Sequence, residues 1–187
     1  LAVQQTFFAT MKREIIKMRD MKFDPELFRN YMSGTVLDEL LCSYKGLPKG
    51  VNYMIIGDTG VGKTTIILDL LSNISKCNTD VRVLFISAEM NEIDLAIYVQ
   101  RFPKFQDLDI LFIEANFDEE DNSHNLETLK STLEQGWDIV AIDSFYELQG
   151  IIKDEENYTL KKAESVCFRL SSSKTKPPTL VVSTPRS

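Results

Sequence analysis

The sequence predicts an α/β fold in which a mostly parallel central sheet is flanked by helices and preceded by a helical lead-in. Three observations carry this expectation. From Val51 onward, short apolar runs alternate with longer amphipathic segments, the pattern of successive βαβ units. The first run leads into a glycine-rich loop, Gly57-Asp58-Thr59-Gly60-Val61-Gly62-Lys63-Thr64, and then into an apolar helix. Two later runs deliver acids, Glu89 and Asp143, to the edge where open parallel sheets bind ligands.

Taken in order, Phe8, Met11, Ile15 and Met18 fall at helical spacing and give a first helix with one apolar stripe and a charged opposite face. Asp24-Pro25 reads as the N-cap and first residue of a short helix closed by Gly34. Thr35 opens another with Val36, Leu37, Leu40 and Leu41, closed by Gly46. Residues 1–45 therefore read as a helical lead-in or linker, and residues 46–187 as the core. Strands are expected at Asn52–Ile56, Val81–Ser87, Asp109–Glu114, Asp138–Asp143 and Thr179–Ser183, each rich in Val, Ile, Leu or Phe. Helices fill the gaps: Ile66, Ile67, Leu70, Leu71 and Ile74 mark one, and residues 91–101 another. Leu126, Leu129 and Leu133 mark a third, stopped by Gly136, and Leu160, Ala163, Val166, Cys167 and Leu170 the last. The acidic cluster Asp118–Asp121 and the polar segment Ser171–Pro178 read as solvated loops. The chain starts without Met and stops just after an apolar run, so it reads as a fragment or an incompletely ordered chain whose core is incomplete at its C-terminus.

With 187 residues, 43% apolar and 26% charged, the chain has the composition of one globular domain plus an appendage. No apolar run approaches the ~20 residues of a membrane-spanning helix, and no small-residue cleavage signal opens the chain. A cytoplasmic protein is expected. Cys42, Cys77 and Cys167 lie far apart and His124 is the only histidine, so neither a disulfide framework nor a zinc site is indicated. A net charge of -7 argues against an evenly basic surface, while leaving room for a local basic loop that grips nucleic acid.

The loop 57–64 stands between a strand and a helix, the context a phosphate-binding loop requires. Gly57, Gly60 and Gly62 let the backbone turn its N–H groups inward, and with the helix N-terminus these cradle a phosphate. Asp58, Thr59 and Val61 complete the cradle. Lys63 would meet the β- and γ-oxygens, Thr64 would offer its hydroxyl to Mg²⁺, and Thr65 would reach the α-phosphate, so the expected ligands are ATP and Mg²⁺. Val140-Ala141-Ile142-Asp143 is an apolar strand ending in an acid, the arrangement of a Walker B carboxylate; read alone the signal is weak, because many buried strands end in an Asp that caps the next turn, and the phosphate loop is what strengthens it. Glu89, just past the end of its strand, is the candidate general base if that strand lies beside the strand of Asp143. Its plainer reading is an N-terminal charge on the following helix.

These pieces, in this order, resemble the RecA-like P-loop ATPases, particularly the branch of DnaB-type helicases, RadA and KaiC, over residues 34–187. Gly34-Thr35-Val36-Leu37-Asp38-Glu39-Leu40-Leu41 and Gly46-Leu47-Pro48-Lys49-Gly50 look like that branch's approach to its phosphate loop. Ser87-Ala88-Glu89-Met90 looks like the helicase strand whose Glu is the catalytic base. The resemblance implies a sheet whose strands, counted from Asn52, run 3-2-4-5-1, and ATP at subunit interfaces of a hexameric ring or filament. Tyr98 falls where the helicase branch has an Arg against adenine, and could equally be a core aromatic. The segment 5–22 resembles in placement a linker helix that docks on a neighbouring subunit, and could equally pack on its own domain. Where the family has a γ-phosphate-sensing Gln after the fifth strand, Thr184 takes its place, which puts coupling to DNA in doubt. In a DNA-dependent motor, a basic loop after Asp143 carrying Lys153, and another before the last strand carrying Lys174 and Lys176, would face single-stranded DNA, with Phe145, Tyr146 and Tyr158 as the few nearby rings. A RadA- or KaiC-like ATPase that switches assembly with nucleotide, and a structural ATP-binding subunit, are the other readings.

Overall fold

The computed structural model describes residues 15, 17–20, 29–115, 124–171 and 179–183, with side chains described as far as residue 167. Five strands form one parallel sheet: β3 (Asn52–Ile56), β4 (Val83–Ser87), β5 (Asp109–Phe112), β6 (Ile139–Asp143) and β7 (Thr179–Ser183), in the order β3-β7-β6-β4-β5. Counted from Asn52 this is 3-2-4-5-1, the order that the resemblance implies. Two strands match their expected bounds at both ends. Of the others, β4 starts at Val83 and β6 at Ile139, because Arg82 and Asp138 are spent on each other's approach: the Asp138 carboxylate accepts from the Arg82 N–H at 2.9 Å. β5 ends at Phe112, although Ile113 still donates its N–H to Ser87 O.

The central strands β4 and β6 are buried at every position, so they read as unbroken apolar runs. Alternate residues divide between two cores. Phe85, Val83, Ile139 and Ala141 pack with α2 (Lys63–Cys77) and α3 (Glu92–Arg101) through Ile67, Leu71, Ile74 and Leu95. Leu84, Ile86, Val140 and Ile142 pack on the other face with α4 (Asn125–Leu133), α5 (Phe145–Glu155) and α6 (Leu160–Ser171). Helix α3 begins on a capping box: the Asn91 side chain accepts from Ile93 and Asp94 N–H while Asp94 accepts from the Asn91 N–H.

Within the stretch read as helical lead-in, Asn30–Tyr31 form a two-residue strand, β1, antiparallel to β2 (Leu47–Pro48), with the short helix α1 (Leu37–Leu41) between them. Tyr31 and Leu47 bury in the α2 core, and the Tyr53 hydroxyl donates to Leu41 O at 2.7 Å, so this segment is tied to the first sheet strand. The turn before α1 closes on Asp38, which is 4% exposed and accepts from Ser33 N–H, Ser33 Oγ and Gly34 N–H at 2.7–2.8 Å. Of the apolar stripe expected on the N-terminal helix, Ile15 and Met18 lie among the described residues. Both are exposed, and Met18–Asp20 form a single 3-10 turn. The short helix expected from Asp24-Pro25 to Gly34 is corrected where it is described: residues 29–33 are not helical, because Asn30–Tyr31 pair with β2 and the Tyr31 ring buries in the α2 core, while residues 24–28 lie outside the described residues.

A second expectation is corrected. The segment after Asp143, taken as a basic loop, is helix α5. Ser144 caps it by accepting from Glu147 N–H, and Phe145, Leu148 and Ile152 form its buried face.

Candidate nucleotide site

The parallel register sets the site. Residue by residue β4 faces β6, with Ser87 opposite Asp143, and Ala88 continues the ladder by donating its N–H to Asp143 O at 2.8 Å. The strand of Glu89 therefore does lie beside the strand of Asp143. One cavity of about 420 Å³ opens at this sheet edge, lined by residues 59–65 of the phosphate loop and by Glu89, Met90, Tyr98, Arg101 and Asp143.

The loop turns through two glycines with positive φ, Gly60 at 79° and Gly62 at 92°, a conformation that residues with a Cβ adopt only at a cost. Gly62 is the N-cap of α2, so the free N–H groups of the helix's first turn point into the cavity mouth. Gly57 and Asp58 do not line the cavity. Their carbonyls instead hold the Lys63 ammonium, which donates to Gly57 O at 2.8 Å and Asp58 O at 2.7 Å and is 8% exposed.

Thr64 Oγ1 donates to Asp143 Oδ2 at 2.5 Å. Asp143 is 2% exposed at the end of β6. Burial pushes its carboxyl above the ordinary carboxylate range; the Thr64 bond opposes this, the charge of nearby Glu89 adds to it, and Lys63 lowers it. This is a buried acid that accepts from one hydroxyl and has a second acid nearby. It fits a divalent cation. The described residues hold no group of three or more His, Cys, Asp and Glu suited to a metal. The protein's share would thus be a hydroxyl and a carboxylate, the sparse oxygen set Mg²⁺ accepts when phosphate and water complete its shell.

Glu89 is exposed in the bend between β4 and α3 and reaches the cavity. Tyr98 packs against the α2 core and also lines the cavity. Arg101 was missed from sequence. It lies three residues after Tyr98 on α3, hence on the same helix face, and its guanidinium sits 5.3 Å from the Phe102 ring centroid. Lys153 stands on α5, with its ammonium 2.5 Å from Asp154 Oδ1, and of the rings assigned to the supposed loop Phe145 is buried in the core. Thr184, Lys174 and Lys176 lie outside the described residues.

A parallel 3-2-4-5-1 sheet with a phosphate loop after its first strand is a RecA-like P-loop fold. The AAA domain family model matches residues 39–166, more than half of the chain, and the chain belongs to that family. Among solved structures, a KaiC-like protein from the hyperthermophilic archaeon Pyrococcus horikoshii is similar in fold. Its TM-score is 0.63 at 17% identity, over 84% of this chain and 71% of that one. No curated protein matches the sequence. Among the described residues no helix is long and apolar enough to cross a membrane.

Proposed function

We propose that this domain binds and hydrolyses Mg-ATP at the cavity between the phosphate loop and the ends of β4 and β6. The observation that supports it most is the convergence of residues 59–65, Glu89 and Asp143 on one opening. The loop N–H groups would take the β-phosphate, and Lys63 would exchange the carbonyls of Gly57 and Asp58 for β- and γ-oxygens. Thr64 and Asp143 would hold Mg²⁺, which when bound spreads the charge of the phosphate oxygens. Tyr98 and Arg101 bound the end of the cavity formed by α3, where the nucleoside would lie. Glu89 would orient a water and accept its proton as the water oxygen bonds to the γ-phosphorus. The bond to the bridging oxygen breaks, leaving ADP and phosphate.

For the assembly, we propose a homo-oligomer with ATP at subunit interfaces that changes its association with nucleotide, the behaviour expected of a KaiC- or RadA-like member. The charges near the sheet edge favour this over a DNA-driven motor: Glu114, Glu147, Asp154 and Glu155 border neighbouring clefts, and Lys153 is engaged by Asp154. The DnaB-like helicase is the second reading, favoured by the segment Ser87-Ala88-Glu89-Met90. Steady-state ATP hydrolysis with and without single-stranded DNA at low salt separates them. Turnover indifferent to DNA, with light scattering that changes on adding nucleotide, is the expected result. Clear stimulation by DNA would transfer the assignment to the helicase reading. No turnover under either condition would reject hydrolysis itself.

A further inference from the structure

Glu89 stands in the bend between β4 and α3, on neither strand nor helix, so its aim depends on how that bend is held. Two hydrogen bonds fasten that bend. One is the backbone bond from Ala88 N–H to Asp143 O at 2.8 Å. The other comes from a side chain: Ser87 Oγ donates to Met90 O at 2.7 Å, spanning Glu89 from the residue two before it to the residue one after. Ser87 is fully buried as the last residue of β4, with Ile113 N–H on its carbonyl at 2.9 Å and Asp143 opposite in register, so its own position is fixed from both neighbouring strands. Beyond the bond, Asn91 starts the capping box of α3. The segment 88–90 is thus pinned at both ends, and the Ser87 hydroxyl is the side-chain clamp that closes it.

We infer that Ser87 is a positioning residue for ATP hydrolysis: its hydroxyl clamps the 87–90 bend and so holds the Glu89 carboxylate at the angle needed to meet the attacking water. This rests on the proposed role of Glu89. Ser87 does not line the cavity, so its loss should spare nucleotide binding. A bend released at one end lets the carboxylate wander by an ångström or so, and misplacement of that size costs about 100-fold in rate when the displaced group takes part in the chemistry.

The test compares Ser87→Ala, Ser87→Thr, Glu89→Gln and a matched control, Ser72→Ala. Ser72 is likewise buried and donates to a main-chain oxygen, Lys104 O at 2.7 Å, but lies away from the cavity. For Ser87→Ala, kcat should fall by about 10- to 100-fold, with KM and the Kd for ATP within about twofold of wild type. Ser87→Thr, which keeps the hydroxyl, should recover most of the rate, and Ser72→Ala should keep it all. The inference is overturned if Ser87→Ala turns over normally, if ATP binding falls along with kcat, if Ser72→Ala loses as much, or if Ser87→Thr is no better than Ser87→Ala. Full turnover in Glu89→Gln would instead remove the parent reading, whatever Ser87 does.

Discussion

Two aspartates in this domain are almost equally buried, and their surroundings could hardly differ more. Asp38, in the turn before α1, accepts from two backbone N–H groups and a hydroxyl. Burial alone would raise its carboxyl, but those donors, with Ser33 foremost, hold it below the usual carboxylate range. Asp143, at the tip of β6, accepts from the Thr64 hydroxyl and has Glu89 nearby, and burial pushes its carboxyl up. One carboxylate is satisfied by the fold. The other has a hydroxyl donor and a second acid nearby, the kind of perturbed setting in which functional carboxylates are found.

Breaking the ligand side of this contrast should give the largest effect. Lys63→Ala removes the cation that the phosphates would take over, and should weaken ATP binding by about 2–5 kcal/mol. Fluorescent-nucleotide titration measures it, and unchanged affinity would unseat the phosphate loop as the binding site. Next, Asp143→Asn should weaken Mg²⁺-dependent nucleotide binding by about 10- to 100-fold while raising the melting temperature of the nucleotide-free protein. A simultaneous loss of stability would mean that Asp143 is structural after all. Asp38→Asn should do the reverse, costing about 2 kcal/mol of stability and leaving ATP affinity as it was, read by urea unfolding beside the same titration.

Acidification sharpens the comparison without any mutation. A lowered folded pKa makes the Asp38 contribution present above its unfolded pKa and lost as pH falls through the folded value. A raised folded pKa gives Asp143 the opposite sign, with its contribution present below the unfolded pKa and lost as pH rises through the folded value. Nucleotide-free protein should therefore gain stability from Asp143 as pH drops from neutrality, before Asp38 is protonated and stability falls. In Asp143→Asn the initial gain should be absent from pH-dependent melting curves. The smallest effect is expected from Lys153→Ala, whose exposed pair with Asp154 contributes about 0–1 kcal/mol. Melting and ATP turnover should both stay at wild type, and a loss of DNA-stimulated turnover would instead revive the helicase reading.

The contrast between the two acids was only half legible in the sequence. Short-range patterns carried the phosphate loop and the bounds of β3 and β7, because strand, glycines and helix follow one another within a few residues. That β4 would lie beside β6 came from the family resemblance, and Glu89 and Asp143 meet for that reason alone. Helix α5 was expected as a basic loop because the helicase resemblance places a DNA-facing loop after Asp143 and Lys153 falls there. The signal was present in the Ser144 cap three residues before Glu147, and in Phe145, Leu148 and Ile152 at helical spacing. Strand β1 is two residues long, too short for any periodicity to mark it. Arg101 was reachable by counting along α3 from Tyr98. The donors around Asp38 and their scarcity around Asp143 are matters of tertiary placement, which no local pattern encodes.

The tether of Lys63 to Gly57 and Asp58 bears on timing as well as affinity. A loop already held in its open curve by its own ammonium has little left to organise when nucleotide arrives, so the entropy of shaping it is spent during folding and not at encounter. Arrival should then run near the ordinary diffusional pace, and differences among ATP, ADP and their analogues should appear in how long each one stays. For an assembly that reads its nucleotide state, the dwell time of ADP becomes the clock.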